Sequence, residues 1–115
     1  MPNKSPLELD LTQLSKALIE RQWTAREVAE ASISRIETLD RDLHAFCTLD
    51  ETAMAQAEDI DRRLSAGLPV GPLAGVPVAV KDLICTRGLR TTFGSRLYDD
   101  FVPDQDDIEI GRAHV

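Results

Sequence analysis

One lysine, Lys81, is the residue of this sequence best suited to chemistry, because it directly follows an unbroken apolar run, residues 76–80. Lysine is seldom fully buried unless it is paired or has a function. Removal of water disfavours the ammonium ion, and a neutral amine near pH 7 is a general base. A lysine at the end of a strand can instead extend its charged head into solvent, which is the commoner arrangement. Position alone therefore leaves both interpretations open.

Other polar groups are weaker candidates for a functional site. The segment 91–95 (TTFGS) supplies hydroxyl groups and flexible backbone, as an ordinary turn also does. His44 has no partner at metal-ligand spacing, so we expect it to pack rather than to bind a metal. The aspartates of segment 99–107 lack the spacing of a calcium-binding loop, so we predict an exposed acidic edge. Phosphate-binding and nucleophile-elbow motifs do not occur, and we expect no cofactor.

Composition narrows the class of protein. The chain has 115 residues, with 20 acidic against 13 basic side chains and a net charge of −7, which argues against a nucleic-acid partner. Cys47 and Cys85 form no C-x-x-C pair, so we expect two reduced apolar thiols and no zinc. The sequence has neither a signal-peptide pattern at its start nor an apolar run of membrane-spanning length. We therefore expect a cytoplasmic location and no membrane partner.

Three helices are predicted to precede residue 68. Asp10 or Thr12 can cap the first helix, and a capping box that begins at Thr24 opens a second, which extends to about residue 41. Asp50 can cap the third helix, and Gly67 ends it. Apolar positions at helical spacing mark the buried faces: Leu11, Leu14 and Leu18 in the first helix, Val28, Ala31, Ile36, Leu39 and Leu43 in the second, and Ala53, Ala57, Ile60 and Leu64 in the third.

Two strands are predicted beside these helices, in residues 44–49 and 76–80, with a Gly/Pro-rich loop over 68–75. The second run is continuously apolar, which is typical of a strand covered on both faces. The order of elements predicts an α/β or an α+β fold, of which we adopt α/β. Because most of the sheet would lie outside these residues, we also expect exposed apolar surface around residues 76–80, which favours aggregation or association.

The lysine-bearing region resembles the amidase signature family. The resemblance is carried by residues 72–84 (PLAGVPVAVKDLI) and 86–95 (TRGLRTTFGS), and residues 101–103 with the aspartates after them fit the same pattern. The predicted upstream helices also match, so the resemblance covers roughly residues 11–108. It implies an α/β/α fold with helices around a mixed sheet, of which this chain forms an incomplete, N-terminal part.

The resemblance also implies a mechanism and a role for Lys81. Members of the family use a serine nucleophile, a second serine in a cis peptide, and a lysine that removes a proton through the second serine. An acyl-enzyme then forms on the nucleophile, and water or an amine takes the acyl group. Only Lys81 can be carried over here, because both serines belong to a Gly/Ser-rich segment that this sequence lacks. Ser95 belongs to the TTFGS pattern and is not a candidate nucleophile.

Three functions remain open from the sequence. The chain can be part of a hydrolase acting on a small carboxamide, part of the amidase-like A subunit of a tRNA-dependent amidotransferase, or a non-catalytic module. Leu83 stands where the amidotransferase subunit often carries asparagine, which favours the hydrolase. The corresponding partners are a small amide substrate and either a second copy of the protein or the other amidotransferase subunits. Without the two serines, the chain alone is expected to be inactive.

The domain boundaries follow from the same comparison. We expect a flexible N-terminal arm over residues 1–10 and the amidase part over residues 11–108. The last six residues are what ATC GGA AGA GCA CAC GTC encodes, a string that resembles a common sequencing adapter. The segment 109–115, which contains His114, is therefore predicted to be a non-native tail; the alternative is a genuine, divergent C-terminal sequence.

Overall fold

A computed structural model of the chain describes residues 4–113. Within that range it has four α-helices and two short 3-10 helices: α1 (Leu11–Ile19), α2 (Ala25–Leu43), α3 (Ala53–Ser65), α4 (Ile108–Ala113), Pro6–Glu8 and Arg96–Tyr98. The chain divides into two compact units, which are described separately. The first unit contains Met1–Ala45 and Glu51–Pro77, and the second contains Phe46–Asp50 and Val78–Val115. His114 and the end of the predicted tail lie outside the described residues, as do the first three residues of the predicted arm.

Both predicted strands are absent from the structure, because residues 44–49 and 76–80 are irregular. A strand is stabilised by backbone hydrogen bonds to a neighbouring strand. Among residues 4–113, no backbone hydrogen bond joins Val78, Ala79 or Val80 to a partner. The predicted α/β fold is therefore not realised in the part of the chain that the structure describes, where all regular structure is helical.

All the backbone N–H groups from Thr24 to Glu27, at the start of α2, have hydrogen-bond acceptors. Two of these four hydrogen bonds were predicted from the sequence. The predicted capping box is confirmed: Glu27 N–H donates to Thr24 Oγ1 at 3.0 Å, and Thr24 N–H donates to Glu27 Oε1 at 3.2 Å. The two remaining N–H groups of the first turn, from Ala25 and Arg26, donate to the carboxylate of Asp61 in α3, at 2.8 and 3.0 Å. These are the donors that a helix start otherwise leaves without partners, so α3 completes the N-terminus of α2.

The core of the first unit lies where α1, α2 and α3 meet. Its buried residues are Leu14, Leu18, Ala25, Val28 and Ala57, and Trp23, Ile60 and Val76 pack against them. This confirms part of each predicted apolar stripe, although Leu11 at the start of the first stripe is 54% exposed. The stripe of α2 is not buried along its full length, because Leu39 and Leu43 are 48% and 68% exposed. Ile36, between these positions and Val28, is partly buried.

Helix ends were predicted with mixed success. Asp10 caps α1 as expected, by accepting the Gln13 N–H at 2.8 Å. Gly67 follows α3 with a φ of +69°, a left-handed conformation that glycine adopts without steric cost. The predicted Asp50 cap is wrong, because Thr52 occupies the N-cap position of α3. The packing role predicted for His44 is also wrong, since this exposed residue is the left-handed C-cap of α2.

The second unit is built from two segments that run antiparallel and are joined by single backbone hydrogen bonds. Asp107 N–H donates to the Cys85 carbonyl at 2.9 Å, Gly88 N–H to Pro103 at 3.0 Å, and Thr91 N–H to Phe101 at 3.0 Å. These bonds are three residues apart or nearly so, which is too sparse for a strand ladder. The rings of Phe93, Tyr98 and Phe101 pack together where the segments turn, with centroids 5.2 to 6.1 Å apart.

Candidate functional site

Lys81 lies at the surface of the second unit, directly after the irregular run. Val78 is 64% exposed, Val80 is 39% exposed, and Lys81 itself is exposed. The dry surroundings predicted for Lys81 are therefore absent in this chain, while the predicted exposed apolar surface is confirmed. Immediately after the run the backbone turns, because Ile84 N–H donates to the Lys81 carbonyl at 3.0 Å.

The residue after the lysine, Asp82, makes three hydrogen bonds to one turn. Its Oδ1 accepts the Thr92 N–H at 2.8 Å, and its Oδ2 accepts the Thr92 hydroxyl in a short hydrogen bond. Its backbone carbonyl accepts the Phe93 N–H at 3.0 Å. Sequence reasoning gave Asp82 no role. The available signal was an acidic residue beside the candidate lysine with hydroxyl residues ten positions later, which is weak because ordinary turns have the same composition.

Hydrogen bonding fixes the charge state of Asp82. The hydroxyl and the backbone N–H of Thr92 hold the pKa of the Asp82 carboxyl below its ordinary value of 3.8, and the Arg90 guanidinium acts in the same direction. A carboxylate that accepts several hydrogen bonds is stabilised in its charged form. Arg90 is itself held by Asp99, whose side chain and carbonyl both accept its N–H groups, and by the Cys47 carbonyl at 3.4 Å.

The hydroxyl groups of segment 91–95 hold the turn together. Thr91 and Thr92 are 3% and 7% exposed; the Thr91 hydroxyl donates to the Leu89 carbonyl at 3.1 Å, and the Thr92 oxygen also accepts the Gly94 N–H at 3.2 Å. Ser95 Oγ accepts the Leu97 N–H at 3.2 Å. These contacts favour the turn interpretation of the segment over a set of reactive hydroxyls.

Both thiols are free, as the sequence indicates, but the apolar setting predicted for Cys47 is wrong because this residue is exposed. Burial raises the pKa of the Cys85 thiol, and the negative charge of Asp107 raises it further. A raised pKa keeps the thiol protonated and unreactive near neutral pH. The aspartates of the predicted edge are mostly exposed, and residues 4–113 contain no group of metal-binding side chains.

Two open grooves lie in the first unit, and Lys81 lines neither of them. One, of about 420 Å³, is bordered by α1 and by Pro72 and Leu73. The other, of about 400 Å³, lies between α2 and α3. None of the described helices is both long and apolar enough to cross a membrane.

Comparison with known sequences places this region in a family. The sequence profile of the family named Amidase matches residues 27–112, which include the lysine, Asp82 and the threonine turn. The chain is 41% identical over 102 residues to a protein of Bdellovibrio bacteriovorus that is named as the A subunit of glutamyl-tRNA(Gln) amidotransferase. That alignment covers 89% of this chain and 21% of the relative, so the chain spans about a fifth of the length of the curated relatives it matches.

Solved structures agree with the sequence match. One solved structure superimposes on this chain with a TM-score of 0.84 at 30% identity, covering 92% of this chain and 24% of the other. It is described as an unexpected vestigial protein complex that reveals the evolutionary origins of an s-triazine catabolic enzyme. A bacterial aryl acylamidase of the amidase signature family gives a TM-score of 0.76 at 33% identity, over 80% of this chain and 19% of the other. Enzymes of this kind have an α/β fold, whereas the described residues of this chain are helical and irregular. The family profile, the sequence relative and the two solved structures together establish that the chain belongs to the amidase signature family.

Proposed function

We propose that this chain is the N-terminal part of an amide hydrolase in which Lys81 is the general base. The observation that carries the proposal is the position of Lys81 inside the family match, between the apolar run and the Asp82 turn. Lys81 is the only basic residue in the segment from 72 to 84. The other two members of a Ser-Ser-Lys relay would be supplied by a segment outside these residues.

The proposed reaction is an acyl transfer. The neutral amine of Lys81 takes a proton from a bridging serine, which takes one from the nucleophilic serine, and the nucleophile's oxygen attacks the carbonyl carbon of the amide. The carbon–nitrogen bond breaks as the relayed proton passes to the leaving nitrogen, which leaves an ester on the nucleophile. Water then cleaves the ester and restores the serine. Lysine here replaces the histidine of other serine hydrolases.

The exposure of Lys81 fits this proposal if further strands cover the apolar run in the longer protein. Val78 and Val80 present apolar side chains, and the backbone around them has no partner within residues 4–113. Strands placed there would complete an α/β sheet and remove water from around the lysine. Desolvation is the condition under which a lysine amine is neutral near pH 7. On its own, the 115-residue chain is expected to be inactive.

A second candidate is the A subunit of a tRNA-dependent amidotransferase. It is favoured by the 41% identical relative, which carries that name. Such a protein would release ammonia from glutamine for partner subunits, and a cytoplasmic location would follow. Leu83 favours the simple hydrolase, as the sequence indicates. A non-catalytic module is the third possibility, and it predicts no amide hydrolysis in any assembly.

The proposal is tested in the protein expressed from the complete reading frame. Ammonia release is measured with acetamide, benzamide and glutamine for the unsubstituted protein, Lys81→Met and Lys16→Met. Lys16 is an exposed lysine of α1 that pairs with Glu20 at 3.8 Å, so its variant is the matched control. We expect Lys81→Met to lower kcat at least about 100-fold, the usual contribution of a general base, and Lys16→Met to leave it unchanged.

The outcomes separate the three functions. Hydrolysis of acetamide or benzamide that depends on Lys81 supports the hydrolase, and activity on glutamine alone supports the amidotransferase. Full activity of Lys81→Met would overturn both. Lys81-dependent hydrolysis by the purified 115-residue chain would show that the nucleophile does not lie in a separate segment.

A further inference from the structure

We propose that Asp82 is a positioning residue for Lys81, and that it acts by tying the backbone beside the lysine to the turn at Thr92 and Phe93. The inference rests on the proposed role of Lys81 as a general base. It adds two residues, Asp82 and Thr92, to those on which the rate of the reaction would depend. Neither residue is required to touch the substrate.

Within the described residues, the backbone of Lys81 is held on one side only. Among the described residues, no backbone hydrogen bond fixes Val78, Ala79 or Val80 before it. After it, Ile84 N–H binds the Lys81 carbonyl at 3.0 Å, and the neighbouring residue Asp82 makes its three bonds. Within the described residues, the direction in which the Lys81 side chain leaves the main chain is therefore set mainly from the Asp82 side, and strands that pair with residues 78–80 in a longer protein would leave the Asp82 contacts in place.

The hydrogen bonds between the Asp82 carboxylate and Thr92 are charge-assisted and shielded from water. Both carboxylate oxygens accept from Thr92, and hydrogen bonds to an ionised acceptor are about twice as strong as neutral ones. Thr92 is 7% exposed, so water competes poorly for its hydroxyl. The Thr92 oxygen also accepts the Gly94 N–H at 3.2 Å, which joins the contact to the glycine of the turn. The contact thus links Asp82 to a buried part of the second unit.

The position of the Lys81 amine matters for catalysis. A general base must lie within hydrogen-bond reach of the proton it removes, and a displacement of about 1 Å can cost 100-fold in rate. Loss of the Asp82 contact would let the backbone at Lys81 move. The chemical step would slow, while groups elsewhere in the protein would still bind substrate. The expected signature is a lower kcat with little change in KM.

Neighbouring threonines provide matched variants in the complete protein. Thr92→Val removes the hydroxyl that binds Asp82 and keeps the side-chain shape, and Thr92→Ser restores a hydroxyl. Thr91→Val is the control, because Thr91 is equally buried but its hydroxyl binds the Leu89 carbonyl, at 3.1 Å, rather than Asp82. Thr91→Val therefore reports the general cost of removing a buried hydroxyl from this turn. Asp82→Ala and the double variant Asp82→Ala/Thr92→Val complete a double-mutant cycle.

We expect Thr92→Val to lower kcat about 10-fold or more with KM within about twofold, and Thr92→Ser to restore most of kcat. Thr91→Val should stay within about twofold in kcat. The double variant should be no slower than Asp82→Ala alone, because both changes break the same contact. Melting temperatures of the two valine variants are measured in parallel, and similar values would show that stability does not explain a difference in kcat.

Equal losses of kcat in Thr91→Val and Thr92→Val, or additive losses in the cycle, would overturn the inference and reduce the contact to a structural one. That failure is distinct from failure of the proposed function, which Lys81→Met tests. An inactive Lys81→Met protein beside a fully active Thr92→Val protein would overturn the role of Asp82 alone. An active Lys81→Met protein would overturn both.

Discussion

Replacing Asp61 by alanine should destabilise the first unit much more than an ordinary surface substitution. The Asp61 carboxylate accepts the N–H groups of Ala25 and Arg26, at 2.8 and 3.0 Å, and Ala25 is fully buried. The variant leaves both donors of the α2 start without their acceptor. The Arg21 guanidinium would remain, because it binds the backbone carbonyl of residue 61 at 3.1 Å rather than its side chain.

The size of the effect follows from the exposure of the two donors. A hydrogen bond to a charged group contributes about 1.5 to 3 kcal/mol, and loss of a helix cap costs about 0.5 to 2 kcal/mol. Arg26 is exposed, so water replaces much of its lost bond, whereas the N–H of the buried Ala25 is harder to hydrate. We therefore expect Asp61→Ala to lower the free energy of unfolding by about 2 kcal/mol, most of it from Ala25. Asp61→Asn keeps one carbonyl acceptor and should lose about half as much.

Urea unfolding followed by tryptophan fluorescence measures this change. Trp23 is the only tryptophan of the chain, and it packs against the core of the first unit. With a urea m-value of about 1 to 3 kcal/mol/M, a loss of 2 kcal/mol lowers the midpoint by about 1 M. The matched control is Asp59→Ala in the same helix, whose side chain is 45% exposed and pairs with Arg62 and Arg63.

Exposed ion pairs contribute about 0 to 1 kcal/mol, so Asp59→Ala should scarcely move the midpoint. Both variants replace an aspartate of α3 by alanine, so the change in helix propensity is the same in both and cancels in the difference between their midpoints. A midpoint for Asp61→Ala within error of that for Asp59→Ala would refute the claim that α3 completes the start of α2. Circular dichroism at 222 nm, followed in parallel, should give the same two midpoints and is an independent measure of the helices.

Three further outcomes are expected. Gly75→Ala should lower the free energy of unfolding by about 1 to 3 kcal/mol in the same urea assay, because Gly75 has a φ of +85° and a new Cβ would lie 3.1 Å from the Ala25 Cβ; no loss would contradict this. Because the pKa of Asp82 is lowered in the fold, its contacts stabilise the second unit above the ordinary aspartate pKa and are lost as the pH falls through the lowered value. The NMR signal of the Thr92 backbone amide, which binds Asp82, should therefore shift with pH with a midpoint below pH 3.8. A midpoint above pH 3.8 would contradict the lowered pKa of Asp82. Val78 is 64% exposed, so the purified chain should bind a dye such as ANS and Val78→Asp should reduce the binding; a monomeric chain with no dye binding would contradict the predicted apolar surface.

Local signals made the helices predictable. Asp10 and Thr24 act through backbone groups three residues away, so their capping roles can be read from adjacent sequence. The Asp61 contact with Ala25 joins residues 36 positions apart, and no short-range pattern predicts it. The lysine was found because an apolar run ends in a charge and because that run matches a family.

The strands were not predictable from the same kind of signal. Periodicity reports which side chains favour burial, and residues 76–80 do favour it, but pairing depends on what lies beside them. The described residues supply no neighbouring strand, so the run stays irregular and Val78 stays exposed. The Asp82 contact was missed for a related reason, since a bond across a turn between residues 82 and 92 depends on a fold that local sequence patterns do not specify.

The unpaired backbone of residues 78–80 has a consequence for the synthesis of a longer protein. In the longer protein proposed above, of which this chain would be the N-terminal fifth, these residues would leave the ribosome early. At about 5 to 20 residues per second, the remainder of such a protein takes roughly 20 to 80 s to translate. During that interval the apolar run would be open to chaperones, proteases and other nascent chains. Selection on the run would then act on its solubility during translation as well as on its place in the finished sheet.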